Sequence, residues 1–247
     1  MSLDGRTCLV TGSSKGIGRG IAEELGSEGA NVVVNYRSSE SAAYDVRDII
    51  DEGPGEAVVA QADVANFDDV AEMYETATEA FGNVDVLVNN AGITVDKKFE
   101  NMTREDWDRV MAVNLGGVYN CTKVCFEDIQ NAHEGRLINI SSVVGQQGNY
   151  GQANYATTKS GLFGFTRTIA LEIARSGSTA NCVAPGFVMT DMLADVPDRV
   201  RDQILERIPL DRFAQVEDIV GIVGFLASEE SSYMTGQVLG VNGGMEW

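Results

Sequence analysis

Thr11-Gly12-Ser13-Ser14-Lys15-Gly16-Ile17-Gly18-Arg19 is the stretch on which the fold reading turns. It follows a short apolar run, Thr7–Val10, and opens a helical pattern that the spacing predicts over Gly18–Gly29. The glycines at 12, 16 and 18 depart from the strict G-x-G-x-x-G spacing, yet they answer a similar demand. Backbone without a Cβ lets a pyrophosphate come close, and a helix N-terminus offers free N–H groups to it. Taken alone, the same glycines also read as turn punctuation between a strand and a helix. Working outward, the pattern predicts further strands at Val32–Asn35, Ala57–Ala60, Val84–Val88, Leu137–Ile140, Thr179–Val183 and Val238–Val241. Each run is nearly all apolar, as suits a strand covered on both faces. Helical patterns lie between them, among them Asp68–Phe81, Arg104–Val124 and Asn154–Ala174. Such alternation predicts an α/β fold, a Rossmann-type doubly wound parallel sheet of about seven strands with helices on both faces. The chain of 247 residues is expected to form one domain, with residues 188–213 as a lid-like insertion.

Composition narrows the partners. Thirty-seven acidic residues against eighteen basic ones give a net charge of −19, and only five of the cations are lysines. A surface of this sign repels nucleic acid and anionic membranes, so neither is an expected partner. Molar salt shortens the Debye length to about 3 Å and relieves the self-repulsion, so a halophilic setting is expected. Cys8, Cys121, Cys125 and Cys182 form no CxxC pair and His133 is the only histidine, so no metal site is expected. The thiols suit a reducing compartment. The start of the chain lacks the pattern of a targeting segment, no run approaches a membrane span, and a cytoplasmic protein is expected.

Three further motifs carry chemistry. Asn89-Asn90-Ala91-Gly92 follows the fourth predicted strand, Tyr155 and Lys159 stand four apart on one helix face, and Pro185-Gly186-Phe187-Val188-Met189-Thr190 follows the sixth strand. A phenol is a weak acid at neutral pH, and an adjacent ammonium that stabilises the phenolate brings proton transfer within reach. With the glycine stretch read as T-G-x-x-x-G-x-G, the chain resembles the short-chain dehydrogenase/reductase family from Arg6 to Met245. The resemblance implies a tetrad of Asn114, Ser142, Tyr155 and Lys159. Tyr155 would donate a proton to a substrate ketone, Ser142 would hydrogen-bond the same oxygen, and Lys159 would lower the tyrosine pKa. Asn114 would hold a water that relays protons to Lys159. A mid-helix asparagine is otherwise unfavourable, which independently suggests a functional reason for Asn114.

The resemblance further implies a nicotinamide dinucleotide held by Gly12, Ser14, Lys15, Gly16, Ile17, Gly18, Asp63, Val64, Asn90, Ala91, Gly92, Tyr155, Lys159, Pro185, Gly186, Val188 and Thr190. The end of the second strand reads Asn35-Tyr36-Arg37-Ser38-Ser39, with no acid before Glu40. A carboxylate there would favour the 2′-hydroxyl of NAD, whereas Arg37 and Lys15 could clasp a 2′-phosphate, so NADPH is expected.

Within the family the chain looks most like 3-oxoacyl-thioester reductases. Gln146, Tyr150, Gln152 and Phe187, with Ser142 and Tyr155, are the candidate substrate residues. Resemblance at Gln146 and Tyr150 favours acetoacetyl-CoA and polyhydroxyalkanoate synthesis, since a bulky Tyr150 would shorten the acyl pocket. The stretch before the fifth strand, Ile129 to Arg136, lacks the basic character expected for docking an acidic acyl carrier protein. Reduction of 3-oxoacyl carrier-protein thioesters is the alternative. A non-catalytic NADPH-binding regulator is a third reading, opposed by the complete tetrad. Family members usually form tetramers, so a homotetramer is expected. Phe187, Met189, Met192 and Leu193 are candidates for a mobile lid over the thioester.

Overall fold

The near-continuous apolar runs become the middle layer of the molecule. In a computed structural model describing residues 2–190 and 197–246, they form β1 (Thr7–Val10), β2 (Asn31–Tyr36), β3 (Glu56–Gln61), β4 (Val86–Asn89), β5 (Arg136–Ile140), β6 (Thr179–Pro185) and β7 (Val238–Val241). All pair in parallel, in the order β3-β2-β1-β4-β5-β6-β7. Register holds Cys8 beside Val32 and Val86, and Leu9 beside Val33 and Leu87.

Side chains alternate across the sheet. Cys8, Val10, Val32 and Val34 join one apolar layer with α1 (Gly16–Ser27), α2 (Glu40–Asp51) and the helix Glu217–Ala227. Leu9, Val33, Leu87 and Leu137 join the other, with α3 (Phe67–Phe81) and two further helices described below. The four cysteines are free and buried, three in these layers and Cys182 in a smaller cluster with Val118 and Leu162, so their thiols pack as small apolar groups.

Strand order reverses between β1 and β4. In an open parallel sheet this switch point leaves a crevice outside the carboxyl ends of the two strands. The glycine stretch leaves β1 there and Asn90 leaves β4 beside it.

One expectation changes. The helix predicted over Arg104–Val124 is three pieces: α4 (Arg104–Met111), a π-turn at Ala112–Gly116 and α5 (Gly117–Asn131). A π-turn inserts one residue without breaking the apolar stripe, so periodicity cannot show it. In the insertion, Val188 bridges to Ala214 in parallel and Asp198–Leu205 form a helix. Met192 and Leu193 lie outside the described residues. In chain order the remaining helices are α6 (Val143–Gln147), α7 (Ala153–Ile173), α8 (Asp198–Leu205) and α9 (Glu217–Ala227).

Candidate active site

The glycine stretch turns at Gly12 (φ +63°) and Gly16 (φ +58°), a conformation that strains any residue with a Cβ. A Cβ on Gly18 would run into Gly12 O and the Asn90 amide. A Cβ on Gly12 would sit 3.0 Å from Ala91 Cα. Asn90 Nδ2 donates to Thr11 O at 2.9 Å and Gly12 O at 3.2 Å, while Thr11 Oγ1 accepts from the N–H of Asn90 and Ala91. The two segments are thus stitched across the switch point. α1 begins after Lys15 without a side-chain cap and without an acid in its first turn. Its first N–H groups therefore face outward with favourable potential for an anion. Ser14 is buried, Ile17 packs on the core, and Lys15 is exposed.

Asn35 escaped the sequence reading. Its Oδ1 accepts from Gly12 N at 2.8 Å, and its backbone N–H donates to Ser13 Oγ at 2.9 Å, fixing the glycine turn onto β2. Arg37 follows β2, and its guanidinium lies 3.8 Å from the Asp63 carboxylate beyond β3. The pair is exposed and adds little stability. Asp63 Oδ1 also accepts from Ala65 N at 3.0 Å, and Val64 is buried against α5 at Gly117.

At the far side of the crevice, Pro185 ends β6 and Gly186 N donates to Val241 O at 2.9 Å. A Cβ on Gly186 would lie 2.8 Å from Asn242 Cα, so a glycine is needed there. Val188 is buried by its bridge to Ala214. Thr190 returns toward the glycine stretch, its methyl 3.7 Å from where a Gly16 Cβ would sit. Phe187 faces a cavity of about 120 Å³ shared with Ile208, Leu210 and Val241.

The four tetrad candidates converge on α7. Ser142 caps α6, its Oγ accepting from Val144 N at 3.1 Å, and its hydroxyl faces the Tyr155 phenol. Lys159 is only 4% exposed, and its Nζ donates to Ile140 O at 2.8 Å. Burial pulls its pKa down to about 8. Lys159 Nζ and Asn114 Oδ1 each lie 3.4 Å from where a Gly92 Cβ would be.

Asn114 sits in the π-turn, which explains an asparagine within a helical pattern. Its Oδ1 accepts from Ile93 N at 2.9 Å, and its Nδ2 donates to Ile93 O at 3.0 Å and Thr158 Oγ1 at 3.2 Å. Both side-chain hydrogens are spent on protein, so the side chain fixes the loop after β4 rather than presenting donors to water.

The phenol differs from expectation. Burial pushes the Tyr155 pKa up to about 12, against the downward pull of the Ser142 hydrogen bond and with a further push from Asp96. Lys159 points its ammonium at Ile140 O and lies 5.6 Å from the tyrosine ring centroid, so it is not what sets the phenol in the ligand-free protein.

Ser141, read as a turn residue, does more than that. Its Oγ donates to Lys159 O at 2.7 Å. Gly145 lets α6 lie against the backbone of Lys159, 2.8 Å from where its Cβ would be. Gln152 is buried at the N-cap of α7, with Nε2 donating to both oxygens of Asp96. Gln146 Oε1 is buried without a partner among the described residues. Tyr150, by contrast, is 78% exposed, with its ring 5.7 Å from Lys98 Nζ. Positive φ at Gly148 and Gly151 turns the intervening residues outward, so among the described residues Tyr150 shortens no acyl pocket.

Residues 12–246 match the profile of a family described as enoyl-(acyl carrier protein) reductase. The chain is 48% identical over 240 residues to a 3-oxoacyl-[acyl-carrier-protein] reductase of Staphylococcus epidermidis, covering 97% of this chain and 98% of that one. It is 46% identical to the 3-oxoacyl-[acyl-carrier-protein] reductase of Synechocystis, with 99% and 98% covered. A crystal structure assigned as a short-chain alcohol dehydrogenase of Sinorhizobium meliloti 1021 superposes with a TM-score of 0.94 at 34% identity, with 99% and 97% covered. No helix of the described residues is long and apolar enough to cross a membrane.

Proposed function

The chain belongs to the short-chain dehydrogenase/reductase family, and from that premise we propose that it reduces the 3-keto group of acyl thioesters carried on acyl carrier protein, with NADPH as reductant. One observation carries the reading. Ser142 and Tyr155 face each other beside buried Lys159, in a chain nearly half identical throughout to 3-oxoacyl-[acyl-carrier-protein] reductases. Support for the acetoacetyl-CoA reading falls away because Tyr150 stands in solvent instead of lining a short pocket. Polyhydroxyalkanoate synthesis falls with it as the leading pathway.

The crevice fits a dinucleotide. The uncapped N-terminus of α1, the turn at Gly12 and Gly16, and the gap between Gly16 and Thr190 make a Cβ-free cradle for a pyrophosphate. Arg37 and Lys15 would hold a 2′-phosphate; Asp63 and Val64 would border the adenine; Asn90, Ala91 and Gly92 would line the ribose side. Pro185, Gly186, Val188 and Thr190 would receive the carboxamide end. When bound, the nicotinamide supplies a hydride to the ketone carbon.

The protein's part is to handle the oxygen. Tyr155 gives its proton to the developing alkoxide, and Ser142 hydrogen-bonds the same atom. Lys159, with its pKa near 8, would hold the ribose hydroxyls of the bound cofactor and resupply the phenol. Asn114 positions the loop over Lys159. Exposed Leu171 (81%) on α7 and Tyr119 on α5 present apolar surface suited to a homotetramer. The buried thiols suit a reducing cytoplasm. The test is NADPH oxidation with acetoacetyl carrier protein against acetoacetyl-CoA. Preference for the carrier protein is expected, and a strong preference for the CoA ester would reverse the assignment.

A further inference from the structure

Thr158 stands in the chain between Tyr155 and Lys159 and is fully buried. Its hydroxyl makes two hydrogen bonds in opposite directions. Oγ1 donates to Tyr155 O at 2.8 Å, one turn back along α7, and accepts from Asn114 Nδ2 at 3.2 Å across the gap to the π-turn. The first bond is local, since threonine in a helix commonly returns its hydroxyl to a carbonyl three or four residues earlier. A hydroxyl whose proton is spent in this way has only lone pairs left, so its partner across the gap has to be a donor. The Asn114 amide supplies one.

That amide is also tied on its other side. Oδ1 accepts from Ile93 N at 2.9 Å and Nδ2 gives one hydrogen to Ile93 O at 3.0 Å, leaving the second hydrogen for Thr158. Asn114 and Thr158 are both fully buried, so water does not replace either bond. A line of hydrogen bonds therefore runs from the backbone of Ile93, through Asn114 and Thr158, to the backbone of Tyr155. The loop after β4 is seated against this line at Gly92, where a Cβ would lie 3.4 Å from both Asn114 Oδ1 and Lys159 Nζ. The loop is also bound to Gly151, Gln152 and Asn154, all of which precede Tyr155. Among the described residues, Thr158 makes the tie on the far side of the tyrosine.

We propose that Thr158 is a positioning residue for proton transfer: acting through Asn114, it sets the distance between the loop that borders the nicotinamide and the turn of α7 that bears Tyr155. The proposal rests on the reductase reading of the same site. Hydride and proton go to the two ends of one carbonyl group, so their donors have to be in register with each other. A misplacement of about 1 Å between them lowers the rate by as much as 10²-fold. Cofactor affinity, which the glycine stretch and the segment after β6 supply, is left in place.

Thr158→Val keeps the branched shape and removes the hydroxyl, Thr158→Ala removes both, and Thr158→Ser keeps the hydroxyl. Turnover of acetoacetyl carrier protein is counted per NADPH-binding site, so that unfolded chains drop out. In Thr158→Val and Thr158→Ala, kcat is expected to fall at least tenfold with KM for NADPH within about twofold of wild type; Thr158→Ser should recover kcat to within about threefold. Hydrogen exchange at Ile93 N–H in the ligand-free protein needs no substrate. It should speed about fivefold in Thr158→Val, as for the loss of one hydrogen bond, and stay near wild type in Thr158→Ser. Wild-type kcat per site in Thr158→Val, a Thr158→Ser enzyme as slow as Thr158→Val, or an Ile93 amide that does not respond overturns the proposal. The expected exchange pattern in a protein whose wild type reduces no 3-oxoacyl thioester would sink the reductase reading and leave the positioning role of Thr158 standing.

Discussion

Lys159→Met should make the ligand-free protein more stable while removing its activity. The ammonium is 4% exposed and has no carboxylate partner among the described residues, so its charge is held at a cost. Burial lowers its pKa from 10.5 to about 8. At 1.36 kcal/mol per unit, that displacement corresponds to about 3 kcal/mol against the folded state at neutral pH. The variant also loses the hydrogen bond from Nζ to Ile140 O, and a carbonyl left without its donor costs about 1–2 kcal/mol. The net expectation is a gain of about 1–2 kcal/mol, or roughly 2–8 °C in Tm for a chain of this size.

The pH dependence separates this cause from better packing alone. A lysine with a depressed folded pKa is charged in both states below pH 8, so the full cost is present there. Between pH 8 and 10.5 the folded lysine is neutral while the unfolded one still binds a proton, so wild-type stability rises with pH relative to the variant. Urea unfolding of both proteins from pH 6 to 10.5 follows the difference. A gap that closes and then reverses is expected. A variant destabilised at pH 7, or a gap that stays constant to pH 10.5, would refute the buried-charge argument.

Gly18→Ala should raise the dissociation constant for NADPH at least tenfold, because its methyl would collide with Gly12 O and force the turn apart; fluorescence titration checks it, and unchanged binding would contradict the cradle. Arg37→Ala should raise KM for NADPH by roughly tenfold, the value of one charged hydrogen bond to phosphate, and leave KM for NADH unchanged. Equal effects on the two cofactors would show that Arg37 serves its partner Asp63 instead. With a net charge of −19, Tm should climb by about 5 °C or more between dilute buffer and 2 M potassium chloride. A flat response removes the halophilic reading.

The sheet was readable because its central strands are covered on both faces, so their residues form apolar runs whatever their order. The glycine stretch was readable because left-handed backbone at Gly12 and Gly16 excludes nearly every other residue. What stayed hidden depends on tertiary contact. The π-turn at Ala112–Gly116 is a one-residue slip in hydrogen bonding, visible in sequence only as an ill-placed Asn114. Asn35 and Ser141 act by reaching Gly12 N and Lys159 O, distant in the chain, and nothing local marks them. Asp96 looks like one more surface acid among thirty-seven until Gln152 is seen against it. Tyr150 was read by its bulk and by resemblance, neither of which shows direction, and in the structure it stands exposed between Gly148 and Gly151. The contact of Lys159 with the Ile140 carbonyl in the ligand-free protein was hidden for the same reason.

The central claim is that Tyr155 delivers the proton in NADPH-dependent reduction of a 3-oxoacyl thioester. Its most direct test is to measure, on one preparation of Tyr155→Phe, both NADPH affinity and turnover of acetoacetyl carrier protein. The account predicts a dissociation constant within about twofold of wild type and kcat lower by about 10²–10⁴. Turnover near the wild-type rate with NADPH still bound would contradict it.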